Sequence, residues 1–297
     1  MTIDYDRLMA RPFAPIERSY APSDTILYAL GVGLGGDPLD PNQLAFVYEQ
    51  GLKVLPTMSA VLGFPGFWAK QPDTGIDWRR LVHAEQGFEF HRPLAPAGRI
   101  VSTNRVSAIF DKGKEKGALL CQERMVIDAD SGQPLATVHQ TSMLRGDGGF
   151  GGPAGSPPKP HTIPDRAPDT ICDLPTLPQA ALIYRLSGDM NPLHADPEVA
   201  RSAGFPRPIL HGMCTMGVAC HAVLRGLLAY DPAPIRGMRV RFTAPVFPGE
   251  TIRTELWIDG DVVSFRSTVL ERDIVVLNAG RVDLAPGTVV TPAPARA

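Results

Sequence analysis

Long apolar runs are missing from this chain of 297 residues, and so is an opening in which basic residues precede an apolar stretch. A membrane span needs roughly 18 or more consecutive apolar residues, so neither a membrane segment nor a secretory leader is expected. An excess of one charge sign is missing too: 29 basic residues against 31 acidic ones leave a net charge of −2. Nucleic acids and other polyanions are therefore excluded as expected partners. Cysteine is scarce, and Cys121, Cys172, Cys214 and Cys220 include no pair at C-x-x-C spacing. A disulfide framework drops out, which leaves a reduced, intracellular protein. The chain finishes on Pro-Ala-Arg-Ala, not on an address of the Ser-Lys-Leu type, so the expected location is the cytoplasm. One stretch, Gly31-Val32-Gly33-Leu34-Gly35-Gly36, fits G-x-G-x-x-G, but Pro38 and Pro41 stand where a dinucleotide-binding helix would have to run. No cofactor is expected, and no metal, since the spacing of Asp189, His194 and His211 matches no common zinc pattern.

What the chain does have is the stretch Tyr184 to Gly217, YRLSGDMNPLHADPEVARSAGFPRPILHGMCTMG. Ala180 to Gly188 can hold a helix, but Pro192 pushes Asn191 out of the α region, so that helix should end near Asp189. The break matters, because on an unbroken helix Asp189 and His194 would point about 140° apart. A loop through Asn191, Pro192 and Leu193 can fold them toward one point. Asp196-Pro197 then reads as an N-cap followed by proline at the first helical position, opening a short helix that Gly204 closes. Past Pro206 and Pro208 a longer helix begins near His211-Gly212. Its first amides are free donors with a positive partial charge, suited to an oxygen that becomes negative. Asp189 and His194 are the candidate acid–base pair, Asn191 can hold a water or the loop, and the Gly212 amide can form an anion hole. For His211, a capping or supporting role and a substrate contact both stand open. Cys214 reads as helix packing.

The two halves of the chain share a plan. Tyr28 to Pro41 aligns with Tyr184 to Pro197 at an offset of 184 − 28 = 156, matching Tyr28, Leu30, Asp40 and Pro41 to Tyr184, Leu186, Asp196 and Pro197. Pro93-x-x-Pro96 matches Pro245-x-x-Pro248 at an offset of 245 − 93 = 152. Under these offsets Asp189 faces Gly33, His194 faces Pro38, and His211-Gly212 faces Ser59-Ala60, so one active site per chain is expected. Ile16 to Gly31 and Asn42 to Leu52 can be helical, and Thr57 to Trp68 would be the first half's central helix, shortened by Pro65 and glycines. Strands should follow from Leu81 to Leu144, with turns at Lys112-Gly113, Lys116-Gly117 and Ser131-Gly132. The second half should run as a helix from His211 to about Tyr230 and then strands near 236–246, 250–258, 262–271 and 273–284. The expected division is 1–145, a degenerate half; 146–178, a Gly/Pro-rich linker; and 179–297, the catalytic half.

The run YRLSGDxNPLHxDP followed by PILHGxCTxG resembles the signature of the MaoC-like (R)-specific enoyl-CoA hydratases, the hydratase 2 group. The resemblance implies an α+β double hot-dog, two helix-wrapped antiparallel sheets in one chain. It implies a hydro-lyase that reversibly adds water to a trans-2-enoyl-CoA, or dehydrates the (3R)-hydroxyacyl-CoA, in fatty-acid β-oxidation. It also implies an acyl-CoA substrate and, by analogy, a homodimer. The same family is similar at His83, at Lys112 in an Asp-Lys-Gly turn and at Phe242 in an Arg-Phe-x-x-Pro run, positions associated there with the acyl-CoA; here Ala84 follows His83 where relatives carry glycine. A first half without the dyad should widen the acyl tunnel for a medium, long or bulky chain. Two rival functions are a hot-dog acyl-CoA thioesterase, in which Asp189 works on the thioester carbon, and a non-catalytic acyl-CoA binding module.

Overall fold

The computed structural model describes residues 3–292. Ten strands form one sheet: β1 Ile16–Tyr20, β2 Leu81–Phe90, β3 Gly98–Asp111, β4 Ala118–Asp128, β5 Pro134–Leu144, β6 Thr170–Pro175, β7 Ile235–Phe242, β8 Thr251–Asp259, β9 Val262–Val269 and β10 Ile274–Leu284. Every pairing is antiparallel, in the order β1-β3-β4-β5-β2-β7-β10-β9-β8-β6. Counted inward from either edge, each half presents its first, third, fourth, fifth and second strand. The halves meet where β2 pairs with β7, and at that seam Gly87 lies opposite Arg239. Those two positions differ by 239 − 87 = 152, the offset that aligns the two Pro-x-x-Pro runs, so a pseudo-twofold axis passes through the seam. The repeat partners Tyr28 and Tyr184 also meet, with ring centroids 5.7 Å apart and both side chains fully buried. The architecture is the expected double hot-dog.

Among the described residues six α-helices accompany the sheet: α1 Tyr5–Met9, α2 Pro22–Gly31, α3 Pro41–Leu44, α4 Ala180–Tyr184, α5 Pro197–Ser202 and α6 Gly212–Leu227. Of the 16 residues of α6 only Gly212, Met213 and Arg225 are not buried, so the helix is enclosed on every side. Small residues permit this. A Cβ on Gly217 would lie 2.5 Å from Val32 Cγ1, and one on Gly226 would lie 3.1 Å from Leu256.

Among the described residues the first half has no such helix. Thr57 to Trp68, expected to be helical, forms a 3-10 turn at Pro56–Ala60 followed by loop. Gly63 and Gly66 adopt φ of +62° and +69°, outside the helical region, and Pro65 lies between them. The loop is fastened to the sheet: Ser102 Oγ donates to the Gly63 carbonyl at 2.7 Å, and the buried Arg124 guanidinium donates to the Ala60 carbonyl at 2.7 Å and to the Leu62 carbonyl. Two other helical expectations also yield. Ile16–Tyr20 is a strand, because Pro22 at the first helical turn and Asp24 capping the Ala21 amide start α2 only there. Asn42 to Leu52 contributes a single turn, α3. Within 146–178, expected to be linker, Thr170–Pro175 forms the edge strand β6 on β8, and Gly149 and Gly151 donate to the Asp111 carboxylate at 2.7 and 2.9 Å.

Candidate active site

The loop that carries Asp189 is built as the prolines dictate. α4 gives way to a 3-10 turn at Arg185–Ser187, and Gly188 at φ +134° ends it. Asn191 Oδ1 accepts from the Leu193 amide at 3.1 Å and caps a second 3-10 turn, Pro192–His194. Asp196 then accepts from the Glu198 amide at 2.8 Å and the Val199 amide at 3.3 Å to open α5. From the first half, Arg18 reaches over and donates to the carbonyls of Ser187 and Val61, both at 3.3 Å, tying this loop to the loop that replaces the missing helix.

These turns bring a carboxylate oxygen of Asp189 and a ring nitrogen each of His194 and His211 to within 4.8 Å of one another. The hydrogen bonds settle both tautomers, because a carbonyl can only accept. His194 Nδ1–H donates to the Ile209 carbonyl at 2.8 Å, so its Nε2 holds the lone pair. His211 Nε2–H donates to the backbone carbonyl of Asp189 at 3.1 Å, and its Nδ1 finds no hydrogen-bond partner among the described residues. The two rings stack with centroids 3.7 Å apart. Burial holds the His194 pKa below its ordinary 6.5, against the opposing pull of the Ile209 bond and the Asp189 charge. Burial and the neighbouring His194 push His211 down to about 3. Both imidazoles are therefore neutral near pH 7. His211 thus occupies the N-cap position of α6 and holds the Asp189 main chain.

Gly212 opens α6 beside this cluster, with an amide that helix geometry leaves without an intrahelical acceptor. A Cβ there would meet the Phe242 ring at 3.2 Å, and Phe242 in turn packs on His83 with centroids 4.7 Å apart. Desolvation drives the His83 ring to a pKa of about 4. Asp189, His194, His211 and Gly212 thus come together, Asn191 supports their loop, and His83 and Phe242 adjoin through the Phe242 ring. Lys112 stands apart: its Nζ donates to the Gly155 carbonyl at 2.9 Å and clasps the glycine-rich segment.

Beyond Phe242 opens a groove that the sequence did not reveal. Arg80, Lys116 and Arg145 supply three cations to it against the one carboxylate of Glu115, and Val82, Ala84 and Met143 line it. The β2–β5 register slips between His83 and Glu85, so Ala84 is the bulged residue at its edge. Arg80 and Arg145 are 65 positions apart (145 − 80) and become neighbours only when Leu81 pairs with Leu144, so no local signal could announce them.

Comparison with known proteins agrees with this layout. Residues 19–146 match the MFE-2 hydratase 2 N-terminal domain, and residues 159–279 match the MaoC like domain. The enoyl-CoA hydratase ChsH3 of Mycobacterium tuberculosis is 40% identical over 292 residues, covering 96% of this chain and 100% of its own. The peroxisomal enoyl-CoA hydratase 2 of Arabidopsis thaliana is 39% identical, covering 94% of each. The crystal structure of a MaoC-like dehydratase from Phytophthora capsici superimposes with a TM-score of 0.84 at 33% identity, over 96% of this chain and 99% of that one. Among the described residues no helix is long and apolar enough to cross a membrane. With both halves matched in order and relatives similar over nearly their whole length, the chain belongs to the MaoC-like hydratase 2 family.

Proposed function

We infer that this protein is an (R)-specific trans-2-enoyl-CoA hydratase, running equally as a (3R)-hydroxyacyl-CoA dehydratase. The observation that carries this reading is the neutral His194 with its Nε2 lone pair turned loose beside the Asp189 carboxylate, at the amino end of α6. Water lodged between Asp189 and His194 gives up a proton as its oxygen adds to C3. The Gly212 amide polarises the thioester oxygen, where negative charge gathers, and one such donor contributes roughly 3 kcal/mol. The proton returns to C2 from the same acid–base pair. No cofactor enters any of these steps.

The cations Arg80, Lys116 and Arg145 suit the phosphates of coenzyme A, with Phe242 between groove and thioester. His83 then backs the Phe242 ring, and Lys112 holds the glycine-rich segment in place. A homodimer and a cytoplasmic location complete the reading; light scattering and cell fractionation test them. The central experiment follows loss of the enoyl absorbance with trans-2-enoyl-CoA thioesters of increasing length and determines the configuration of the product. Formation of the (S)-alcohol, or release of free thiol without hydration, would remove the assignment.

A further inference from the structure

The inner face of the first half's sheet carries a row that its fold does not need. Gln122 on β4 lies opposite Gln140 on β5, and Gln140 lies opposite Gln86 on β2. Three glutamines therefore stand side by side across three strands, facing a cavity that Ala60, Phe64, Trp68 and Met213 also line. The equivalent row in the second half is Val263, Val282 and Met238, paired in the same way. Those three are fully buried in the same core as α6. At one and the same place in the repeat, the half with a helix has an apolar row and the half without one has amides.

The row displays donors, some already engaged: Gln140 Nε2 donates to Ser142 Oγ at 3.2 Å and Gln86 Nε2 to the Gly87 carbonyl at 3.4 Å, which leaves each amide one further N–H. Trp68 Nε1–H donates to Gln122 Oε1 at 2.6 Å, which fixes that amide and turns its Nε2 to the remaining space. On the next rung Asn104 lies opposite Arg124, and the Asn104 Nδ2 is enclosed without a partner. Among the described residues Arg124 donates to the carbonyls of Ala60 and Leu62, which leaves guanidinium N–H groups over. An alkyl chain laid here would strip water from these groups and satisfy none of them, a standing cost for every buried donor. Met213 follows Gly212 directly, so the cavity begins beside the point where the thioester is held.

We propose that this cavity receives the far end of the acyl group and that this end bears an oxygen that accepts hydrogen bonds, as a hydroxyl, an oxo group or a carboxylate. The inference rests on the hydratase reading and narrows its substrate class from acyl-CoA in general to acyl-CoA oxygenated away from the thioester.

The test uses the full chain and trans-2-enoyl-CoA thioesters of equal length ending in a methyl, a hydroxyl or a carboxylate, with crotonyl-CoA as a short reference. The wild type should favour an oxygenated end by about tenfold or more in kcat/KM, since a site built to hydrogen-bond a group rejects the analogue that lacks it. Gln140→Leu and Gln86→Leu, each checked for folding by its thermal melt, should cut that preference severalfold, mainly through KM. A stronger preference for carboxylate makes Arg124 the main contact, and one for hydroxyl makes it the amide row. Equal use of the methyl-ended substrate by the wild type, or a preference that both folded variants retain, overturns the inference while leaving the hydratase intact. Failure to hydrate any of the thioesters, crotonyl-CoA included, removes the hydratase reading and this inference together.

Discussion

Of the four imidazole nitrogens near Asp189, two are spent on backbone carbonyls, and how they are spent divides the labour. His194 gives up Nδ1 and keeps Nε2 for the water, whereas His211 gives up Nε2 and anchors the Asp189 main chain. His194→Ala and Asp189→Asn should each lower hydration turnover by about 10²-fold or more with the fold retained, as circular dichroism and steady-state kinetics would show. Wild-type rates in both would take the pair out of the mechanism. The pH profile should carry the same signature. Because burial lowers the His194 pKa, the base stays unprotonated through neutrality and kcat/KM should stay level there. The acid limb should appear only below 6.5, the value of an unperturbed imidazole. A limb centred at or above 6.5 would mean that His194 is not the base.

At the scale of elements, the dependence of the second half on one enclosed helix can be read from its glycines. Gly217→Ala would drive a Cβ to 2.5 Å from Val32 Cγ1 and 3.3 Å from the Tyr28 hydroxyl, so stability should fall by about 1–3 kcal/mol in urea unfolding. Helix propensity alone would make the same change favourable, so the sign decides between close packing and propensity. The catalytic loop and α6 were legible beforehand because prolines and caps act locally: Pro192, Asp196-Pro197 and Gly204 each mark a boundary that the structure keeps. The first half's missing helix was not, because Gly63 and Ser102 decide it together and they are distant in sequence. Nor could Ile16–Tyr20 be told from helix by local pattern, since its strand character comes from pairing with β3.

Taken whole, the molecule concentrates neutral imidazoles around α6, and this sets how it responds to acid. His211 and His221 are each about 1% exposed, and burial pushes their pKa values down to about 3 and about 4, with His194 lowered beside them. In the unfolded chain these rings take up protons near 6.5, the ordinary value. Between pH 6.5 and about 4 the unfolded state therefore binds more protons than the folded one, and stability must rise with pH across that window and level off above it. Each ring contributes about 1.4 kcal/mol per pH unit within its own window. The melting temperature should accordingly hold steady from pH 8 to about 7 and drop on acidification before ordinary carboxylates begin to titrate near 4. His221 is the ring to remove, since it lies outside the Asp189 cluster and is held by the Val32 carbonyl and the Tyr230 hydroxyl, each at 3.4 Å. His221→Leu should lower stability at neutral pH, because those two groups lose their partner, yet reduce the acid slope by about one proton. An unchanged slope in the variant would show that the buried ring is already protonated in the folded protein and that burial does not govern its charge.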